Sequence, residues 1–138
     1  MAAATAITRV HQILLGRINV ALAPFGITFA RFEVLALLHF SRRGSLPLGK
    51  IGERLQVHAA SVTNAIDRLE QDGLVRRVQH PGDGRAVLAV ISDQGRSVAV
   101  EAAQVLGAIE FGLAGDHRVD TIEVERLLRP VRRNAGDF

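Results

Sequence analysis

The stretch Val57–Gly73, VHAASVTNAIDRLEQDG, reads as one short helix with two unlike faces. Val62, Ile66 and Leu69 recur at i, i+4 and i+7, so they share a stripe that faces a core. Ser61, Asn64 and Arg68 recur at i, i+3 and i+7 and share an outward stripe. That outer stripe holds a hydroxyl, an amide and a guanidinium, groups that bond base edges and phosphates. Gly73 supplies the stop, because glycine tolerates the left-handed conformation just past a helix end. An ordinary amphipathic surface helix has the same two faces, so the flanking segments decide between the readings.

Immediately upstream, Pro47 suits the first turn of a helix over Leu48–Leu55, with Leu48, Ile51 and Leu55 on its buried stripe. Residues Gln56–His58 leave room only for a tight connection. Two short helices joined by such a turn make a helix-turn-helix. Further back, Thr28 is positioned to cap a helix over Phe29–Phe40, in which Phe32, Val34, Leu35, Leu37 and Leu38 are apolar. Ser41–Ser45 reads as a loop. A long helical pattern, Ala3–Ala23, carries Ile7, Val10, Leu14, Ile18 and Leu22 and is ended by Pro24 and Gly26.

Downstream of Gly73 the period changes. Leu74–Gln79 and Ala86–Ile91 read as strands, and His80–Arg85, HPGDGR, as a six-residue tip rich in turn formers. A hairpin directly after a helix-turn-helix is the wing of a winged helix. Ser92 then caps a helix to about Gly112, with Asp93 in its first turn and Val98, Ala102, Val105, Leu106 and Ile109 as its apolar face. Gly112–His117 is a break. A last helix starts near Asp120, with Ile122, Leu127 and Leu128 apolar, and Pro130 is expected to end or kink it. The first helix and the last two carry apolar stripes outside the winged unit and are expected to pack together, with a second copy of the chain as a further partner.

Composition narrows the class. The 138 residues are 48% apolar and 22% charged, which suits a globular core. Without cysteine there is no disulfide and no thiolate metal site. The histidines at 11, 39, 58, 80 and 117 have no tight metal-ligand spacing. Ser61 has no evident base partner and no glycine-rich phosphate loop is present, so neither nucleophilic catalysis nor nucleotide hydrolysis is supported. No enzyme activity, cofactor or metal is expected. No apolar run of about 18 residues appears, and the first residues lack the pattern of a signal peptide, so the expected location is cytoplasmic, away from the membrane.

The formal charge is +3, from sixteen Arg and one Lys against fourteen acids. Residues 1–43 carry five Arg and one acid, whereas 97–138 carry five Arg and seven acids. This asymmetry is compatible with a nucleic-acid face at the N-terminal and central parts. Arginine in place of lysine fits phosphate and guanine recognition, and it equally fits a genome rich in G and C.

The order of parts resembles the MarR family of winged helix-turn-helix bacterial transcriptional regulators. The run Leu48–Val75, LGKIGERLQVHAASVTNAIDRLEQDGLV, is similar to the family's recognition helix and its exit into the wing. Asp83-Gly84-Arg85-Ala86, followed by Ile91-Ser92-Asp93-Gln94-Gly95, is similar to its wing pattern, and Ile27–Leu35 to its second helix. The sequence departs from the pattern at His58, where the family often has Ser, Thr or Asp.

The resemblance implies a mainly α fold with a small β-hairpin wing, a single domain over 1–138. Its winged lobe would span 27–92, flanked by dimerisation helices over 1–23 and 93–138. It also implies a homodimer on a near-palindromic double-stranded DNA operator, transcriptional repression, and release by a small aromatic or phenolic effector. Ser61, Thr63 and Asn64 are the candidate base readers, in the half of the helix that enters the groove. Arg68, Arg76 and Arg77 are candidates for phosphate, and Arg42, Arg43 and Lys50 weaker ones. Arg85, at the wing tip, is the candidate for the minor groove, with Asp83 expected to steady its guanidinium. For Ser61, Thr63 and Asn64 a solvated side chain is the plain alternative. For Arg68 it is an intrahelical pair, for Arg76 and Arg77 inward packing of one of the two, and for Arg85 a solvated side chain on a turn stabilised by Asp83. For the whole, the alternative is a winged-helix protein-interaction module without DNA binding, favoured by Asp67, Glu70 and Asp72 beside the single basic residue of the helix's outer face.

Overall fold

A computed structural model describes residues 1–116 and 118–137; His117, last of the five histidines and the end of the expected break, lies outside them. Helix α1, Ala2–Leu22, has no proline and tolerates a single interior glycine, Gly16. Pro24 then tightens the chain into a 3-10 turn over Ala23–Phe25, closed by left-handed Gly26. Only the C-terminal part of α1 is in the core, through Ile18 and Leu22. Its first twelve residues, 2–13, are exposed.

Helix α2 spans Phe29–Phe40, the predicted range. Its cap is not the expected one. The Thr28 side chain accepts no backbone N–H of the first turn; it accepts from Arg31 Nε at 3.3 Å. Instead the Phe29 N–H donates to Asn19 Oδ1 of α1 at 2.8 Å, so the start of α2 is satisfied from ten residues upstream. Phe32, Val34, Leu35 and Leu38 fill the centre of the core.

Ser45–Pro47, expected as the end of a loop and a helix start, forms strand β1. It pairs antiparallel with a later strand, Ser45 opposite Val90 and Pro47 opposite Leu88. An edge strand tolerates Pro47, whose missing N–H faces away from the ladder. Helix α3, Leu48–Leu55, ends on left-handed Gln56. Helix α4, Ala59–Gln71, buries Val62, Ile66 and Leu69. The Leu74 N–H donates to Leu69 O at 2.8 Å and the Gly73 N–H to Glu70 O at 3.0 Å. With Gly73 at φ 71, this is a Schellman ending that aims the chain into the sheet.

Strands β2, Val75–His80, and β3, Asp83–Ile91, complete a three-stranded antiparallel sheet of order β1-β3-β2. The wing tip is shorter than the six residues expected. His80 pairs with Asp83 across a bulge, leaving Pro81 and Gly82 as the turn. The turn-forming composition of His80–Arg85 gives way to ladder bonds once the partner strand lies alongside.

Ser92 caps α5, Asp93–Ala108, accepting from the Gly95 N–H at 3.0 Å. Its hydroxyl also donates to Gly73 O at 2.8 Å, tying α5 to the exit of α4. Helix α5 stops short of the expected Gly112, because Glu110 and Phe111 turn left-handed and lead through a 3-10 turn to Gly112. Ala99, Ala102 and Leu106 take the buried stripe, while the expected Val105 is exposed. Helix α6, Thr121–Asn134, is capped by Asp120 Oδ1, which accepts from the Ile122 and Glu123 N–H groups at 3.0 Å each. Pro130 does not end it. The turns on either side outweigh the one lost backbone bond, and the Arg126–Glu123 and Arg129–Glu125 pairs brace the surface.

The core joins α1, α2, α3, α4, α5 and the sheet. Arg17 fastens α1 to the turn after α5, donating to Gly112 O at 2.7 Å and Asp116 at 2.6 Å. The expected packing of the first helix with the last two therefore holds only for α5, since α6 buries no residue. Ile7, Val10 and Ile13 of α1 and Val124, Leu127 and Val131 of α6 are exposed. Among the described residues no single helix is long and apolar enough to cross a membrane. The bent α1–α2 pair reaches that length together, but α2 lies in the core.

Candidate nucleic-acid interface

Burial of Val62, Ile66 and Leu69 turns the rest of α4 outward. Ser61, Thr63 and Asn64 are exposed there. Asn64 carries both donors and an acceptor, the set that pairs bidentately with adenine. His58 begins the helix without a side-chain bond to the first turn, which leaves the positive end of the helix dipole open. Arg68, one turn after Asn64, donates to Gln71 Oε1 at 3.2 Å and is otherwise at the surface.

The paired arginines of β2 behave differently, as strand alternation requires. Arg76 is exposed. Arg77 turns back onto α4, where Nη2 meets Asp67 Oδ1 and Nη1 meets Glu70 Oε2, both at 2.5 Å. Its backbone N–H donates to Glu70 Oε1 at 2.9 Å. That backbone bond and the guanidinium hold the Glu70 carboxyl below its ordinary range. Partial burial works against the Arg77 charge, but Asp67 and Glu70 outweigh it and its pKa rises.

At the wing tip Asp83 Oδ1 accepts the backbone N–H of Arg85 at 3.0 Å. The expected contact to the Arg85 guanidinium is not made; a short aspartate satisfies the near backbone of its own turn more readily than the far end of the next-but-one side chain. Gln79 Nε2 donates to Gly84 O, and His80 Nδ1 accepts from the Gly82 N–H. The tip backbone is thus held by its own side chains, and the exposed Arg85 guanidinium is held by none of them. Arg42 and Arg43 are exposed at the base of the sheet, since β1 pairs with the end of β3 remote from the tip. Lys50 is paired with Glu53 at 2.7 Å.

The structure thus brings Ser61, Thr63, Asn64 and Arg68 onto one helix and sets Arg77 in a carboxylate fork beside them. Asp83 and Arg85 stand apart on the tip. Sequence reasoning missed the fork, although two acids three residues apart and an arginine on the returning strand are the ingredients of one.

Helix-turn-helix, three-stranded wing and exposed polar face together define a winged-helix protein of the DNA-binding class. The MarR family model matches residues 27–87. Sco5413, a MarR family transcriptional regulator from Streptomyces coelicolor, is 49% identical with a TM-score of 0.91, the match covering 100% of this chain and 96% of that one. The uncharacterized HTH-type transcriptional regulator YhbI of Bacillus subtilis is 30% identical over 121 residues, 88% of this chain and 73% of its own. A mutant MarR from E. coli, solved with operator DNA, shares the fold at 24% identity and a TM-score of 0.82, over 96% of this chain and 93% of that one. This chain belongs to the MarR family: it is a transcriptional regulator and not an enzyme.

Proposed function

We propose that the chain is a homodimeric repressor that reads a near-palindromic double-stranded DNA operator and is released by a small aromatic or phenolic ligand. One observation carries the reading. Ser61, Thr63 and Asn64 project from the second helix of the helix-turn-helix with no hydrogen bond to any described side chain, beside a wing whose tip arginine is unengaged. Base-reading groups must be free to exchange water for base edges, and these are.

In this reading α4 enters the major groove by its N-terminal half, with Ser61, Thr63 and Asn64 on base edges and Arg68 and Arg76 on phosphate. Arg85 enters the flanking minor groove, where negative potential concentrates, and Asp83 shapes the turn that presents it. The winged lobe is 27–92. The segments 1–23 and 93–138 pair two copies, so that two lobes meet successive half-sites. Occupancy of the operator blocks transcription. A ligand between lobes and pairing helices favours a dimer whose lobes no longer match the half-site spacing.

Arg85→Ala is expected to weaken operator binding roughly tenfold, the worth of one well-placed charged contact. It should lower the salt dependence by about one counterion and leave the dimer mass unchanged. Titration by fluorescence anisotropy at several salt concentrations, beside light scattering, checks this. An unchanged affinity and salt slope would remove the wing from the interface.

A further inference from the structure

We infer that Arg77 is not a DNA contact but the charge shield of the recognition helix, cancelling Asp67 and Glu70 so that α4 can approach phosphate. The inference rests on the DNA-binding reading above. Asp67 lies three residues after Asn64 and four after Thr63, and Glu70 three further on, so both carboxylates continue the flank that carries the base readers. Left bare, that flank would meet a duplex bearing one negative charge per about 1.7 Å of axis. Arg77 meets both acids at 2.5 Å and adds its backbone N–H to Glu70. Its side chain is only 27% exposed.

Reaching a phosphate would require Arg77 to abandon two charge-assisted bonds and strand both acids beside the DNA. The neighbouring Arg76, on the opposite face of the strand, is open to solvent and needs no such exchange. The planar guanidinium is what allows one side chain to serve two carboxylates; a lysine ammonium is a single point charge.

The shield has a signature that a phosphate contact or a purely mechanical strut lacks, namely rescue by removing the charges it covers. The probe is a palindromic duplex recovered by selection with the wild-type chain. Arg77→Met, which keeps the aliphatic stem, should weaken binding roughly tenfold through like-charge repulsion. Adding Asp67→Asn and Glu70→Gln to Arg77→Met should restore affinity to within about threefold of wild type. A triple variant that melts cooperatively yet binds as weakly as Arg77→Met overturns the inference, as does an Arg77→Met variant that binds like wild type. Should Arg77→Met fail to fold, the Asp67→Asn/Glu70→Gln pair decides: tighter binding supports the shield, and weaker or unchanged binding overturns it. A wild-type chain that enriches no duplex overturns the DNA-binding reading and this inference with it. A wild type that binds, beside a triple variant that does not recover, overturns this inference alone.

Discussion

Leu127→Glu combined with Val131→Glu is expected to give a folded monomer that binds the operator at least about 100-fold more weakly, the loss that follows when two linked half-site contacts become one. In a single chain α6 buries nothing, and Leu127 and Val131 are 61% and 67% exposed. Val124, Leu127, Leu128 and Val131 fall at i, i+3, i+4 and i+7, a stripe made to be covered. The outer part of α1 repeats the situation with Ile7, Val10 and Ile13. Each large apolar side chain covered on pairing contributes about 1.5–3 kcal/mol, and a buried glutamate reverses that gain. The lobe core uses no α6 residue, so its circular dichroism and melting should persist. Light scattering of the variant beside anisotropy checks both halves. A variant that stays dimeric with full affinity would place the pairing surface elsewhere.

Gly95→Ala is expected to cost about 2–3 kcal/mol of stability, an overpacking penalty, lowering Tm by roughly 10 °C. A Cβ at Gly95 would be driven into Leu74 O and against the Ile91 side chain. Leu74 O is already occupied, accepting the Ser92 N–H at 3.0 Å. The chain leaving α4 and the first turn of α5 are therefore in backbone contact, and neither can shift without loosening the Ser92 bonds. DNA affinity of the fraction still folded should change little, because Gly95 lies behind the sheet exit and not on the exposed face of α4. Thermal melts read the result; a Tm within about 2 °C of wild type would mean that α5 tilts freely at this contact.

How much of this was legible depended on whether a feature is local. Helices α2 and α3 were readable in place and approximate extent, because apolar spacing and the adjacent prolines and glycines fix them within their own segments. The Ser92 cap and the Gly73 stop were readable for the same reason. Strand β1 was not: Ser45–Pro47 becomes a strand only because β3 offers it a ladder more than forty residues later. The α2 cap is not local either, because Asn19, on another helix, reaches the Phe29 N–H. The wing tip is shorter than its turn-forming composition suggests, since composition marks turn formers but not which of them a partner strand recruits. At the site, exposure of Ser61, Thr63 and Asn64 follows directly from the buried stripe of α4. The division of Arg76 from Arg77 follows from alternation once β2 has a register, and only the fold shows that Arg77 returns to acids seven and ten residues before it.

The most direct test is selection from a random pool of duplexes with the full chain, followed by sequencing of what is retained. A paired winged-helix regulator predicts one enriched near-palindrome whose half-sites are centred about 10 bp, one helical turn, apart. Its affinity should fall steeply with salt. Retention of no enriched sequence, with the chain folded and dimeric, would contradict sequence-specific recognition and favour a winged-helix module whose partner is a protein.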